Sequence, residues 1–258
     1  MKTKNVFFFS ALWISTMGLH SNESTVKTSS RPPLAFEKTP NCFYFGPEFF
    51  GFNLKTHVED IQIHGNKFFW GIGFGYEHLK PRAVYAGIDL LTSYGTNTFH
   101  ASKNGRSLCP KHDDTWFGSS ELRLGYTFAP QKWLCSPFLG LGGYLVEGLF
   151  HTHANFQERF SYIVGGVRTI YEHSSVFNAG LNLKIFRSYY AIKHYYLSNG
   201  CKSTAHPQIW GGELGIPLVW HIGSKKHWDV EVEPYFLQLD FSETQNVYGT
   251  RLLFGYHF

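Results

Sequence analysis

Residues 68–77 read Phe-Phe-Trp-Gly-Ile-Gly-Phe-Gly-Tyr-Glu. Every second residue from Phe68 is bulky and apolar: Phe68, Trp70, Ile72, Phe74 and Tyr76. Between them stand Gly71, Gly73, Gly75 and Glu77. A period of two is the side-chain repeat of a β-strand, whose successive side chains leave opposite faces. The stretch is therefore a strand with one face of rings and one face nearly bare. What each face meets decides the fold.

The same pattern runs through Ile209–Ile222. Trp210, Leu214, Ile216, Leu218 and Trp220 share one face, and Gly211, Glu213, Gly215, Pro217 and Val219 share the other. From Cys42 to Phe258 about ten such segments follow one another, near 42–54, 66–78, 83–95, 115–128, 136–150, 160–172, 177–189, 209–222, 228–240 and 247–258. None sustains a helical period. Short connections are expected near Leu79–Arg82, Ala129–Cys135, His173–Val176 and Gly223–His227. Longer loops are expected near Lys55–Gly65, Thr96–Asp114, His151–Arg159 and Tyr190–Gln208, with a short last hairpin at Ser242–Asn246. Tight turns on one side and long loops on the other suit an up-and-down barrel spanning an outer membrane.

Volume sets the orientation of the two faces. A barrel of about ten strands has a narrow interior filled by modest side chains. It cannot take Phe68, Trp70, Phe74, Trp210, Trp220, Trp228, Phe236 and Phe254 together. Gly71, Gly73, Gly75, Gly87, Gly125, Gly140, Gly142, Gly211, Gly215 and Gly255 on the other face suit a crowded lumen. Rings are thus expected outside against lipid, where only a helix or a closed barrel satisfies every backbone group. Trp116 and Trp210 near one end, and Trp133, Trp220 and Trp228 near the other, read as two interfacial girdles.

The final residues sharpen the reading. Thr250, Leu252, Phe254, Tyr256 and Phe258 alternate up to an aromatic last residue. This segment resembles the assembly signal of small bacterial outer-membrane β-barrel proteins. The resemblance covers the architecture from Cys42 to Phe258, its motif only the last strand. It implies contact with the barrel-assembly machinery during biogenesis, and then with outer-membrane lipid and lipopolysaccharide.

The rest of the composition agrees. Aromatics are 18% of the chain and charged residues 16%, against roughly 25% charged in soluble domains. Lys2 and Lys4 precede an apolar run, Val6–Leu19, too short to span a bilayer and fit for a secretory signal. The expected division is a signal peptide over 1–21, cleaved after Gly18 or Ser21, a flexible leader over 22–40, and the barrel over 41–258. Without Lys2 and Lys4 the net charge falls from +4 to +2, which gives no argument for nucleic acid.

Twelve charged residues fall on the bare face: Glu48, Glu77, Asp89, Glu121, Arg123, Arg168, Lys184, Glu213, Asp229, Glu231, Glu233 and Arg251. Buried charge must pair or meet water. The set therefore predicts either a salt-bridge plug or a thin aqueous path biased towards cations. His100, His112, His151, His153, His194 and His206 fall in the expected long loops without metal-ligand spacing, so neither metal nor other cofactor is expected. Cys109 and Cys201 share the loop side and are a candidate disulfide, whereas Cys42 and Cys135 begin strands on opposite sides of the ring. The omptin proteases resemble this architecture and act through acidic residues and an Asp-His pair at the outer rim. His112-Asp113-Asp114 lies in a suitable loop, but Tyr190–Gln208 supplies no carboxylate opposite. The expectation is a non-enzymatic structural or surface barrel or a narrow pore, with a rim hydrolase acting on peptide or lipid as the alternative.

Overall fold

The structure is a computed structural model that describes residues 40–58, 61–103, 106–107, 111–150, 154–197, 200–205, 209–223, 227–240 and 244–258. The expected signal segment, and the expected leader apart from Pro40, lie outside the described residues.

The described residues form thirteen strands of one antiparallel sheet. In chain order these are β1 (Asn41–Val58), β2 (Ile61–His78), β3 (Val84–Lys103), β4 (Arg106–Ser107), β5 (Lys111–Tyr126), β6 (Trp133–Phe150) and β7 (Ala154–Glu172). Then follow β8 (Phe177–Leu197), β9 (Gly200–Ala205), β10 (Trp210–Gly215), β11 (Leu218–Ile222), β12 (Trp228–Asp240) and β13 (Thr244–His257). The sheet closes because β13 pairs with β1, from Cys42 opposite His257 to Asn53 opposite Asn246. β9, β10 and β11 lie end to end along β8 in one register, with Ala205 opposite Ile192, Trp210 opposite Arg187 and Leu218 opposite Ala179. They make a single stave. β4 is a short return at the tip of β3. The wall is thus an up-and-down barrel of ten staves.

Pro217 has no N–H to donate, and its stave breaks there between β10 and β11. Ile216 N still donates to Pro234 O at 3.0 Å, and Gly180 N to Pro217 O at 2.8 Å, which holds the wall shut.

Alternation sorts the faces as the sequence requires. Phe68, Trp70, Ile72 and Phe74 are 44–57% exposed on the outer surface, while Gly71, Gly73 and Glu77 are buried. Trp133, Trp220, Trp228, Tyr256 and Phe258 are exposed near the turn end, and Trp70, Tyr94, Tyr190, Trp210 and Tyr248 near the opposite end. Trp116 is only half exposed, with Nε1 donating to Thr92 Oγ1 at 3.1 Å.

Rings are not confined to the outside. Phe50, Phe69, Tyr85, Phe138, Phe160, Phe186 and Tyr235 are buried in the interior. Glycines make room for such rings. Gly75 faces the ring of Tyr44, Gly142 that of Tyr162, Gly211 that of Phe186 and Gly249 that of Tyr235, and a Cβ at any of the four would overlap the ring. The bare positions of one stave are the sockets of the next.

The expected loops are also largely strand. β3 continues to Lys103 and β5 starts at Lys111, pairing from Phe99 opposite Lys111 inwards. β1 and β2 pair out to Val58 opposite Ile61, β6 and β7 to Phe150 opposite Ala154, and β8 and β9 to Leu197 opposite Gly200. A tilted strand crosses hydrocarbon in roughly 9–11 residues, so strands of 18–21 residues such as β2, β3 and β8 stand well clear of it. Among the described residues, β12 and β13, of 13 and 14 residues, stop early. Backbone pairing continues wherever a neighbour is present, even when the side chains turn polar.

Candidate functional site

All twelve charged residues of the bare face line one interior cavity of about 140 Å³. Most of them are joined in a chain across the lumen. Arg123 on β5 meets Asp89 on β3 at 2.5 Å and Glu121 at 3.6 Å, and Tyr44 donates its hydroxyl to Asp89. Lys184 Nζ on β8 reaches Glu121 at 2.9 Å and Glu213 on β10 at 3.5 Å. Arg251 on β13 then gathers Glu213 and Glu233 at 3.0 Å and Glu48 at 3.3 Å. Tyr235 donates to Glu48 at 2.6 Å and Tyr162 to Glu121 at 3.1 Å.

Nearer the turn end, Arg168 binds Glu77 at 3.0 Å and Glu231 at 3.3 Å, and Tyr85 donates to Glu77 at 2.8 Å. Lower still, Asp229 lies between His221 Nδ1 and His257 Nε2, each at 2.5 Å, and Asn178 Nδ2 stands 2.8 Å from His221 Nε2. These two histidines, the inward tyrosines, Asn178 and Asn182 were absent from the sequence-based set. Strand parity was the signal that finds them: His221 follows Glu213 by eight residues, and His257 follows Arg251 by six, so each shares its face.

Towards the loop end the charges give way to rings. Phe50 stacks on Phe69 with centroids 4.9 Å apart, and Phe117 meets Phe50 edge-on at 5.5 Å. The series continues through Phe117–Tyr144 at 5.6 Å, Tyr144–Phe160 at 4.7 Å and Phe160–Phe186 at 6.3 Å. It crosses β2, β1, β5, β6, β7 and β8; Tyr235 and Val247, from β12 and β13, belong to the same cluster as Phe50 and Phe69. A second cavity of about 90 Å³ lies between rings and charges. Glu48, Glu121, Lys184, Glu213 and Arg251 line both cavities and form the partition between them.

The other sequence-based candidates fall elsewhere. Phe254, Tyr256 and Phe258 are exposed on the outer face and Leu252 is partly so, while Leu253, Gly255 and His257 turn inward. Cys42 and Cys135 are free thiols. Cys109 is outside the described residues and Cys201 is described only by its backbone in β9, so their pairing also lies outside. His100, His112 and His194 take register positions opposite His64, Thr98 and Gln157, while His151, His153 and His206 lie outside the described residues. Asp113 and Asp114 stand opposite Asn97 and Thr96.

No protein-family model and no curated protein sequence matches the chain. Among solved structures, the outer membrane protease OmpT from Escherichia coli matches with a TM-score of 0.58 at 10% identity, over 86% of this chain and 97% of that one. The translocator domain of the autotransporter NalP from Neisseria meningitidis matches with a TM-score of 0.44 at 10% identity, over 85% and 89%. OprG from Pseudomonas aeruginosa does so with a TM-score of 0.38 at 10% identity, over 85% and 97%. At this identity the OmpT match speaks for the fold: the chain is a closed β-barrel of the bacterial outer-membrane type.

Proposed function

We propose that the protein sits in the bacterial outer membrane as a sealed, non-enzymatic barrel, an anchor that carries tall β-hairpins on the outside. The observation that carries this reading is the continuous ion-pair chain from Asp89 through Arg123, Glu121, Lys184 and Glu213 to Arg251, lying beneath a layer of stacked rings. Each layer joins staves on different sides of the ring. Pairs of this kind are costly to break, because removing one partner leaves a buried charge uncompensated. The outward apolar belt is suited to lipid and to the acyl chains of lipopolysaccharide, and the outward Phe254, Tyr256 and Phe258 to the assembly machinery.

Planar bilayers test the sealing. Reconstituted protein that migrates differently before and after boiling, as a folded barrel does, is expected to give no unitary current above baseline. Steady ohmic steps would overturn the sealed reading in favour of a narrow pore. The non-enzymatic part is tested separately with peptide and lipid substrates. Hydrolysis that disappears in His112→Ala or Asp113→Ala would replace it with a rim hydrolase.

A further inference from the structure

Two arginines face outward where the wall leaves the lipid. Arg187 on β8 and Arg159 on β7 are exposed, while Phe186, Ser188 and Phe160 beside them in the chain are buried, so both stand on the outer face. Their height follows from the neighbouring stave. Trp210 is opposite Arg187 and Trp220 is opposite Phe177, ten residues away along β8. At a rise of ~3.3 Å and a tilt of ~40°, ten residues climb about 25 Å, the height of the apolar band of an outer-membrane barrel. Arg187 therefore sits at the upper edge of that band, level with Trp210. Arg159 lies four residues beyond Ile163, the β7 partner of Arg187, and so about 10 Å higher.

The wall between the two is built with an extra residue. Ser161 pairs with Tyr190 and Tyr162 with Ser188, which leaves Tyr189 as a bulge in β8. In a regular strand one of two successive side chains turns inward. Here Tyr189 and Tyr190 both face out, 63% and 49% exposed. An aromatic girdle alone asks for neither a doubled tyrosine nor cations. The Arg187 guanidinium lies over the Trp210 ring, 5.0 Å from its centre. Stacking fixes a guanidinium by its face and leaves recognition to its edge. Carboxylates mark the borders: Glu147 on β6, which takes a bond from Gln157, and Asp240 at the β12 position opposite Trp210.

Two cations about 13 Å apart along the strand, with rings between them, suit a headgroup that carries several phosphates joined by sugars. A phospholipid offers one phosphate and no sugar. We propose that the outer face of β7 and β8 is a docking site for the phosphorylated sugar headgroup of lipopolysaccharide. Arg187 and Arg159 take its phosphates, through charge-assisted bonds that can be bidentate, and Tyr189 and Tyr190 pack against its sugar. Its acyl chains then run down the wall over Ile163 and Ile185, both exposed. The inference rests on the outer-membrane placement and not on whether the lumen is sealed.

Native mass spectrometry of the folded barrel, delipidated in neutral detergent, tests it with lipid A, dephosphorylated lipid A and phosphatidylglycerol as probes. The expected result is one lipid A retained per barrel, and at least tenfold weaker binding of the other two. Arg159→Gln with Arg187→Gln, checked for unchanged heat-shifted migration, should weaken lipid A binding at least tenfold. Lys132→Gln, in a turn-side connection, should leave it unchanged. Lipid A binding that survives the double change would overturn the assignment. Dephosphorylated lipid A held as tightly would also overturn it, reducing the contact to acyl chains on the belt, and phosphatidylglycerol held as tightly would replace it with a phospholipid site. Bilayer current and hydrolysis, which report on the sealed, non-enzymatic reading, are separate from each of these results.

Discussion

Gly249 shows how closely the interior is packed at the level of single residues. Its missing side chain leaves the place taken by the ring of Tyr235, and that ring is held by the hydroxyl's bond to Glu48 at 2.6 Å. The ring cannot retreat without leaving a buried carboxylate short of a donor. Gly249→Ala should therefore cost about 1–3 kcal/mol, the usual penalty of overpacking a filled interior. In a Tyr235→Ala background the same change should cost almost nothing, because the socket is then vacant. Urea unfolding of the four proteins in detergent measures the coupling, and equal costs in both backgrounds would refute the socket. The sequence showed these glycines as a bare face, and only strand parity pointed to the rings that occupy it. Charge at an inward position is conspicuous beside glycine. A phenylalanine such as Phe69 is not, because it sits between Phe68 and Trp70 and its parity alone marks it as inward.

At the scale of elements, turn ends and loop ends of the strands were unequally legible. The expected starts at 42, 83, 177 and 228 fall within a residue of β1, β3, β8 and β12. These ends are set by local chemistry: Arg82, Gln131 and Gly223 take positive φ in three of the short connections. The outer ends were misplaced by up to nine residues, β3 running to Lys103 instead of 95, β8 to Leu197 instead of 189, and the stave of β9–β11 starting at Gly200 instead of 209. Whether a polar stretch stays in the sheet depends on a neighbour distant in sequence, which composition does not reveal. The extensions beyond the aromatic girdle pair with one another above the lipid, and among the described residues β12 and β13 carry none. Trimming β3 and β5 back to the Asn97–Asp113 pair, with a short glycine-containing turn, should therefore leave folding into the membrane and heat-shifted migration unchanged. A trimmed protein that no longer shifts on boiling would show that the extensions help to build the barrel, not merely to rise from it.

For the whole molecule, the proposed sealing rests on two layers in series, each with its own chemistry. The rings fill space across one level of the lumen; Lys184, Arg251 and their carboxylates bridge staves across the next, with the 90 Å³ cavity between the two. A path through requires both to be breached. Phe50→Ala with Phe117→Ala and Phe160→Ala should merge the upper cavity with the outside and still carry no current. Lys184→Ser with Arg251→Ser should join the two cavities and also stay silent. The five changes combined are expected to conduct. Glu48, Glu121, Glu213 and Glu233 then remain along the opened path with two of their bases removed, so the current should favour cations. In a potassium chloride gradient the reversal potential should shift towards the potassium equilibrium value, in protein whose heat-shifted migration shows an intact wall. Current from the ring-only variant would make the charged layer no barrier at all, and a shift towards chloride would mean that ions pass by a route that avoids these carboxylates.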